Sequence, residues 1–102
     1  MEKITILLLL VIFCGSLSQA FDWRYDSSSQ YYWAMDCDFV YNDIVQVNTS
    51  GENCSNECNK HPRCLVFTYN SARRICFLKD KKTSEPSYSP GNVCGYYKGT
   101  RK

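Results

Sequence analysis

Seven cysteines in 102 residues are the groups of this chain best suited to chemistry, as thiolate nucleophiles, metal ligands or disulfide partners. Cys14 stands apart in an apolar N-terminal stretch, which leaves Cys37, Cys54, Cys58, Cys64, Cys76 and Cys94. The spacings Cys54-x3-Cys58 and Cys58-x5-Cys64 raise the question of zinc, but zinc sites prefer tighter C-x2-C pairs with histidine beside them. His61 is the single histidine. Set between Cys58 and Cys64 and followed by Pro62, it is placed to cap helix carbonyls rather than to act as a base. Asp36 and Asp38 flank Cys37 and would share one strand face, yet they lack the spaced oxygen ligands of a dedicated calcium loop. No nucleophile elbow, phosphate loop or HExxH motif occurs in the sequence. The residue types point away from an enzyme, a cofactor and a resident metal.

Compartment decides what the cysteines do. Lys3 precedes an apolar run from Ile4 to Phe13, and Cys14-Gly-Ser-Leu-Ser-Gln-Ala20 then places small residues at Ser18 and Ala20. This is the pattern of a signal peptide over residues 1–20, cleaved near Ala20 and Phe21. Ten apolar residues at ~1.5 Å each span about 15 Å, half the ~30 Å hydrocarbon core, so the run is too short for a permanent anchor. The mature chain is expected to be secreted and extracellular, with no membrane span. Export argues for bridges over thiolates, and six cysteines then make three disulfides with 15 possible pairings.

The remaining residues suit one small domain. A chain of this size buries only roughly 60–65% of its unfolded surface, so its apolar core needs a covalent staple. Its 15% aromatic and 44% hydrophobic content is too high for a disordered segment.

Three elements must position the cysteines. Gly51 to Lys60 predicts a short helix, with Ser50 or Asn53 as N-cap and Pro62 preventing continuation. Cys54 and Cys58, four apart, then project from one face. Cys64-Leu-Val-Phe-Thr-Tyr69, the polar turn Asn70-Ser-Ala-Arg73, and Arg74-Ile-Cys-Phe-Leu78 predict a β-hairpin. A helix lying on that hairpin could reach Cys64 from Cys58 and Cys76 from Cys54, leaving Cys37 and Cys94. Both hairpin strands are apolar on both faces, so the sheet needs two covers and the helix supplies one. The second is expected from the aromatic lead at residues 21–35, from the Ile44–Val47 stretch, or from a ligand. Six of the thirteen residues from Phe21 to Trp33 are aromatic. Rings such as Trp23 could stack on sugars or a partner; otherwise Tyr31 to Trp33 form an edge strand and the rest a loose arm.

These residues carry a resemblance. Cys54-x3-Cys58-x5-Cys64-Leu-Val-Phe-Thr-Tyr69 with Cys76-Phe-Leu-Lys-Asp80 resembles the PAN/apple domain family, as do His61-Pro-Arg-Cys64 and the lead-in Trp33-Ala-Met-Asp-Cys-Asp-Phe39 with Asn42-Asp43. The likeness covers about Asp36 to Lys98, read as the domain at 36–98 with a basic tail at 99–102. It implies an α+β fold, one short helix packed on a curved antiparallel β-sheet. It also implies the pairing Cys37–Cys94, Cys54–Cys76 and Cys58–Cys64. The interval from Cys76 to Cys94 is shorter than in a typical apple domain, so loops that often carry partner contacts are trimmed. The family binds many unrelated things, and a fold alone names no ligand.

Charge adds the remaining expectations. From Asp22 to Glu57 the net is −6, and from Lys60 to Lys102 it is +8. Arg73, Arg74, Lys79, Lys81 and Lys82 are candidates for a polyanion-binding face, and PAN-like modules that bind heparin are a precedent. Scattered lysines that keep a small exported domain soluble are the plainer account. Secretion and the interruption by Asp80 argue against nucleic acid. Asn48-Thr-Ser50 is a glycosylation sequon in a surface position, whereas Asn53-Cys-Ser55 is compromised by its bridged middle residue. The expected function is a secreted non-catalytic module that binds an extracellular protein or carbohydrate, including a sulfated glycan. The alternative is a secreted effector, such as a salivary anti-haemostatic or a cationic antimicrobial.

Overall fold

The computed structural model describes residues 21–82 and 85–99. The leader expected over residues 1–20 and residues 100–102 of the basic tail lie outside the described residues. Among the described residues six strands and one helix follow in the order β1 (Arg24–Asp26), β2 (Tyr31–Asp38), β3 (Asp43–Asn48), α1 (Gly51–Lys60), β4 (Val66–Asn70), β5 (Ile75–Lys79) and β6 (Ser87–Tyr97). They form a single antiparallel sheet in the spatial order β1-β2-β6-β4-β5-β3. This is an α+β architecture with one short helix on one side of the sheet.

The helix starts at Gly51, but the Ser50 side chain does not cap it; Asn53 N–H bonds the Ser50 carbonyl instead. Tyr69 fixes the start from below. Its ring packs against Gly51, and its hydroxyl donates to the Thr49 carbonyl at 2.9 Å. Two bridges then hold the helix down on the sheet, Cys54–Cys76 and Cys58–Cys64, with Cα separations of 5.5 and 5.2 Å. The third, Cys37–Cys94, joins β2 to β6 across 57 residues of sequence. The β4–β5 turn has no glycine; Arg74 takes the left-handed conformation (φ 57°) and Asn70 Oδ1 accepts from the Arg73 N–H.

Both sheet faces are covered by the chain itself. On the helix face, Tyr31, Phe67, Tyr69 and Leu78 pack with four of the bridged cysteines, and Ile44 and Val47 join them. On the other face, Phe39 lies over Ala34, Val66 and the Cys37–Cys94 bridge, with Phe21 and Trp23 packed against it. The second cover therefore comes from the lead and from Phe39, in the β2–β3 connection. Phe39 is fixed there by its N–H, which donates to Thr68 Oγ1 at 3.0 Å. The lead also departs from a loose arm. Arg24–Asp26 pairs with Tyr31–Trp33, so β1 is the edge and β2 lies inside the sheet.

Candidate functional site

The helix lies over β4 and β5. Beyond it, on the same face, the sheet forms a cleft of about 550 Å³. Tyr31, Trp33, Phe67 and Val93 line its floor, Gly51, Glu52 and Ser55 of α1 one wall, and Asp26 at the end of β1 with Ser28 of the turn after it the other, with Tyr25 at the rim. Strand alternation makes the floor. Tyr31 and Trp33 are two apart on β2, and Trp33 pairs with Gly95 of β6, whose neighbour Phe67 packs over that glycine. Tyr31 and Phe67 are buried, whereas Trp33 is half-buried and offers its ring. The Arg24 guanidinium already lies 5.7 Å from the centre of that ring.

The cleft is acidic. Hydrogen bonds to Asp26, first from Ser29 (2.8 Å) and then from Ser28 (3.0 Å), outweigh its partial burial and hold its carboxyl below the usual aspartate range. Glu52 sits in the first turn of α1, where the positive helix end favours a carboxylate. Among the described residues no lysine, arginine or histidine lines the cleft. Ser55 does line it, is only 8% exposed, and has no hydrogen-bond partner among the described residues.

The opposite face carries a row of rings. Tyr25 meets Tyr32 (5.1 Å between ring centres), Tyr32 stacks on Tyr96 (5.4 Å), Tyr96 meets Trp23 (5.0 Å), and Trp23 stacks on Phe39 (6.4 Å). Burial, reinforced by nearby Tyr32 and Glu85, raises the Tyr96 phenol above its ordinary value and keeps it neutral. Lys98 lies 5.2 Å from the Tyr25 ring, and Lys82 lies 4.9 Å from Tyr96. Trp23, considered for stacking on a sugar, is instead wedged between Phe39 and Tyr96.

The basic residues picked out from the sequence do not form one patch. Lys79 is withdrawn from any such face: its side chain is 4% exposed, and its ammonium pairs with Asp43 and donates to the Tyr41 carbonyl. A buried ammonium needs such partners, because an unpaired one would lose its hydration without return. Arg73 and Arg74 sit in the turn before β5, Lys81 and Lys82 beyond its other end. Five strand residues at ~3.3 Å each hold the two pairs about 17 Å or more apart. Arg73 lies over Phe77, as does the paired Lys79, and Arg24, Lys82 and Lys98 also have aromatic company. Lys98 had no signal in the sequence beyond its charge.

Other candidate residues have structural partners. His61 Nδ1 accepts from the Arg63 N–H at 3.1 Å, and it is the His61 main-chain N–H that bonds the Cys58 carbonyl. A bulge at Asp36 (φ 60°) breaks the alternation that would put Asp36 and Asp38 on one face. Asp36 accepts from the Gly91 N–H, while Asp38 borders a polar pocket of about 240 Å³ beside Asp43 and Lys79. All six described cysteines are bridged. Among the described residues no three His, Cys, Asp or Glu gather as a metal site, and no helix is long and apolar enough to cross a membrane. Asn48 is exposed at the end of edge strand β3, whereas Asn53 lies in α1 and donates to Thr49 Oγ1.

The profile of the PAN domain matches residues 35–100. No curated protein matches the chain.

Proposed function

The chain belongs to the PAN domain family, and from that membership we propose that it is an exported, non-catalytic binding module whose ligand seats in the cleft between α1 and the β1–β2 hairpin. PAN domains bind proteins or carbohydrates and are in general non-catalytic, disulfide-rich and extracellular. The observation that carries the reading is the cleft itself. Its volume falls within the range of ligand sites, and its floor is aromatic with a few polar groups at the walls. Residues 1–20 act as the cleaved leader, and Asn48, exposed at the sheet edge, takes a glycan in a host that glycosylates.

A second reading is favoured by Lys82 and Lys98 above the aromatic row, which suit a sulfated glycan lying along the helix-free face. One experiment separates the two. The oxidised protein is screened on a glycan array and against a panel of purified extracellular proteins, and each ligand found is retested with Trp33→Ala and with Lys82→Ala/Lys98→Ala. The cleft reading expects Trp33→Ala to weaken binding about tenfold or more, with the lysine variant near wild type. The reverse order, with loss of heparin retention in the lysine variant, would replace the cleft by the aromatic row.

A further inference from the structure

The polar groups of the cleft are unevenly matched in donors and acceptors. Asp26 and Glu52 bring carboxylate oxygens. The Ser28 hydroxyl is spent donating to Asp26. The Tyr25 and Tyr31 phenols and the Trp33 indole also border the cleft, but Ser55 is the hydroxyl that is nine-tenths buried against it with no hydrogen-bond partner among the described residues. A sugar needs donors and acceptors in similar number, and an anion would face two carboxylates with no cation among the described residues lining the site. The positive end of α1 at Gly51 does not reverse this, because Glu52 stands in the same turn. An ammonium is the complementary group: three donors, a positive charge, and an affinity for the face of a tryptophan. The Trp33 ring already holds the Arg24 guanidinium against it, outside the cleft lining.

We propose that the cleft binds an alkylammonium group, the chemistry shared by lysine side chains and free organic amines, with Asp26 and Glu52 as counter-ions, Ser55 as acceptor and Trp33 beneath the charge. This rests on the cleft being the binding site, and it adds the class of group bound there. An alkyl stem lies along Trp33 and Val93, and the ammonium meets Asp26, whose oxygens already accept from Ser28 and Ser29 on its own wall, together with Glu52 and Ser55 across the cleft.

The test uses the oxidised protein and NMR titration with four probes: Nα-acetyl-lysine methylamide, n-butylammonium chloride, sodium acetate and methyl β-glucoside. The two amines are expected to shift the Trp33 indole N–H and the Ser55 and Val93 amides. Their affinity should fall about tenfold or more in Asp26→Asn and in Glu52→Gln. Glu52 is exposed, so Glu52→Gln leaves the fold intact if Asp26→Asn does not. Tighter binding of the lysine derivative than of butylammonium assigns the group to a partner protein; equal binding assigns it to a free amine. Shifts of the same resonances by the glucoside or acetate, without the amines, would overturn the ammonium proposal and leave the cleft as the site. Silence of those resonances to all four probes, with the ligand found by screening mapped elsewhere, would overturn both.

Discussion

Replacing Cys37 and Cys94 together by alanine is expected to lower stability by about 4 kcal/mol, the largest loss available from any one bridge. The bridge closes 57 residues, and both sulfurs are fully buried between β2 and β6. Removing Cys54–Cys76, which closes 22, is expected to cost about 3 kcal/mol, and Cys58–Cys64, which closes 6, about 2 kcal/mol. A domain of this size has only roughly 5–10 kcal/mol in total, so the first variant should melt about 20 °C lower or fail to fold at 37 °C. Thermal melts followed by circular dichroism without reductant check the order. Equal melting temperatures for the three variants would mean that loop closure is not what the bridges contribute.

Gly95→Ala should cost about 3 kcal/mol even though it adds one methyl group. A Cβ at this position would stand 2.5 Å from the Phe67 ring and 2.8 Å from the Tyr32 carbonyl oxygen. The ring could turn aside only by leaving the core, and the carbonyl belongs to the neighbouring strand and cannot move without breaking the β2–β6 ladder. Gly91→Ala is the useful contrast. Its Cβ would meet nothing within 4 Å, and only its positive φ of 88° opposes the change, a cost of about 1 kcal/mol. Urea unfolding of the two variants reads the difference. A Gly95→Ala protein as stable as wild type would mean that Phe67 does not lie over β6 as described.

How far the fold can be read from sequence depends on how local the signal is. Pro62 and the four-residue spacing of Cys54 and Cys58 mark α1, and the apolar runs on either side of Asn70-Ser-Ala-Arg73 mark β4 and β5. β1 is harder to see, because Arg24-Tyr-Asp26 has two charged residues in three and forms a strand only through its partner on β2. The Ser27–Gln30 turn between two aromatic stretches is the signal that could have exposed it. Phe39 shares a short loop with Tyr41, which is exposed, and nothing short of the β2–β6 pairing shows which of the two rings caps the opposite face.

The site is less accessible still. Its residues come from β1, the turn after it, β2, α1, β4 and β6, so no window of sequence contains it. Proximity in sequence is also what misplaces Lys79. It looks like one member of a basic run, yet strand alternation and the register with Asp43 on β3 turn it inward. Lys98, distant in sequence from Lys82, shares the aromatic row with it because β2 and β6 bring Tyr32 and Tyr96 together.

The claim on which the rest depends is that sulfur bridges clamp α1 to the sheet and so give the cleft a fixed wall. Peptide mapping of the unreduced protein by mass spectrometry tests it directly. Cleavage after Glu52, Glu57, Lys60, Arg63, Arg74 and Lys79 separates all six cysteines. The structure predicts three linked pairs, Cys37–Cys94, Cys54–Cys76 and Cys58–Cys64, with no free thiol among them. Cys54 joined to Cys58 within the helix, or an alkylatable thiol at Cys76 or Cys64, would leave α1 untied and contradict the account.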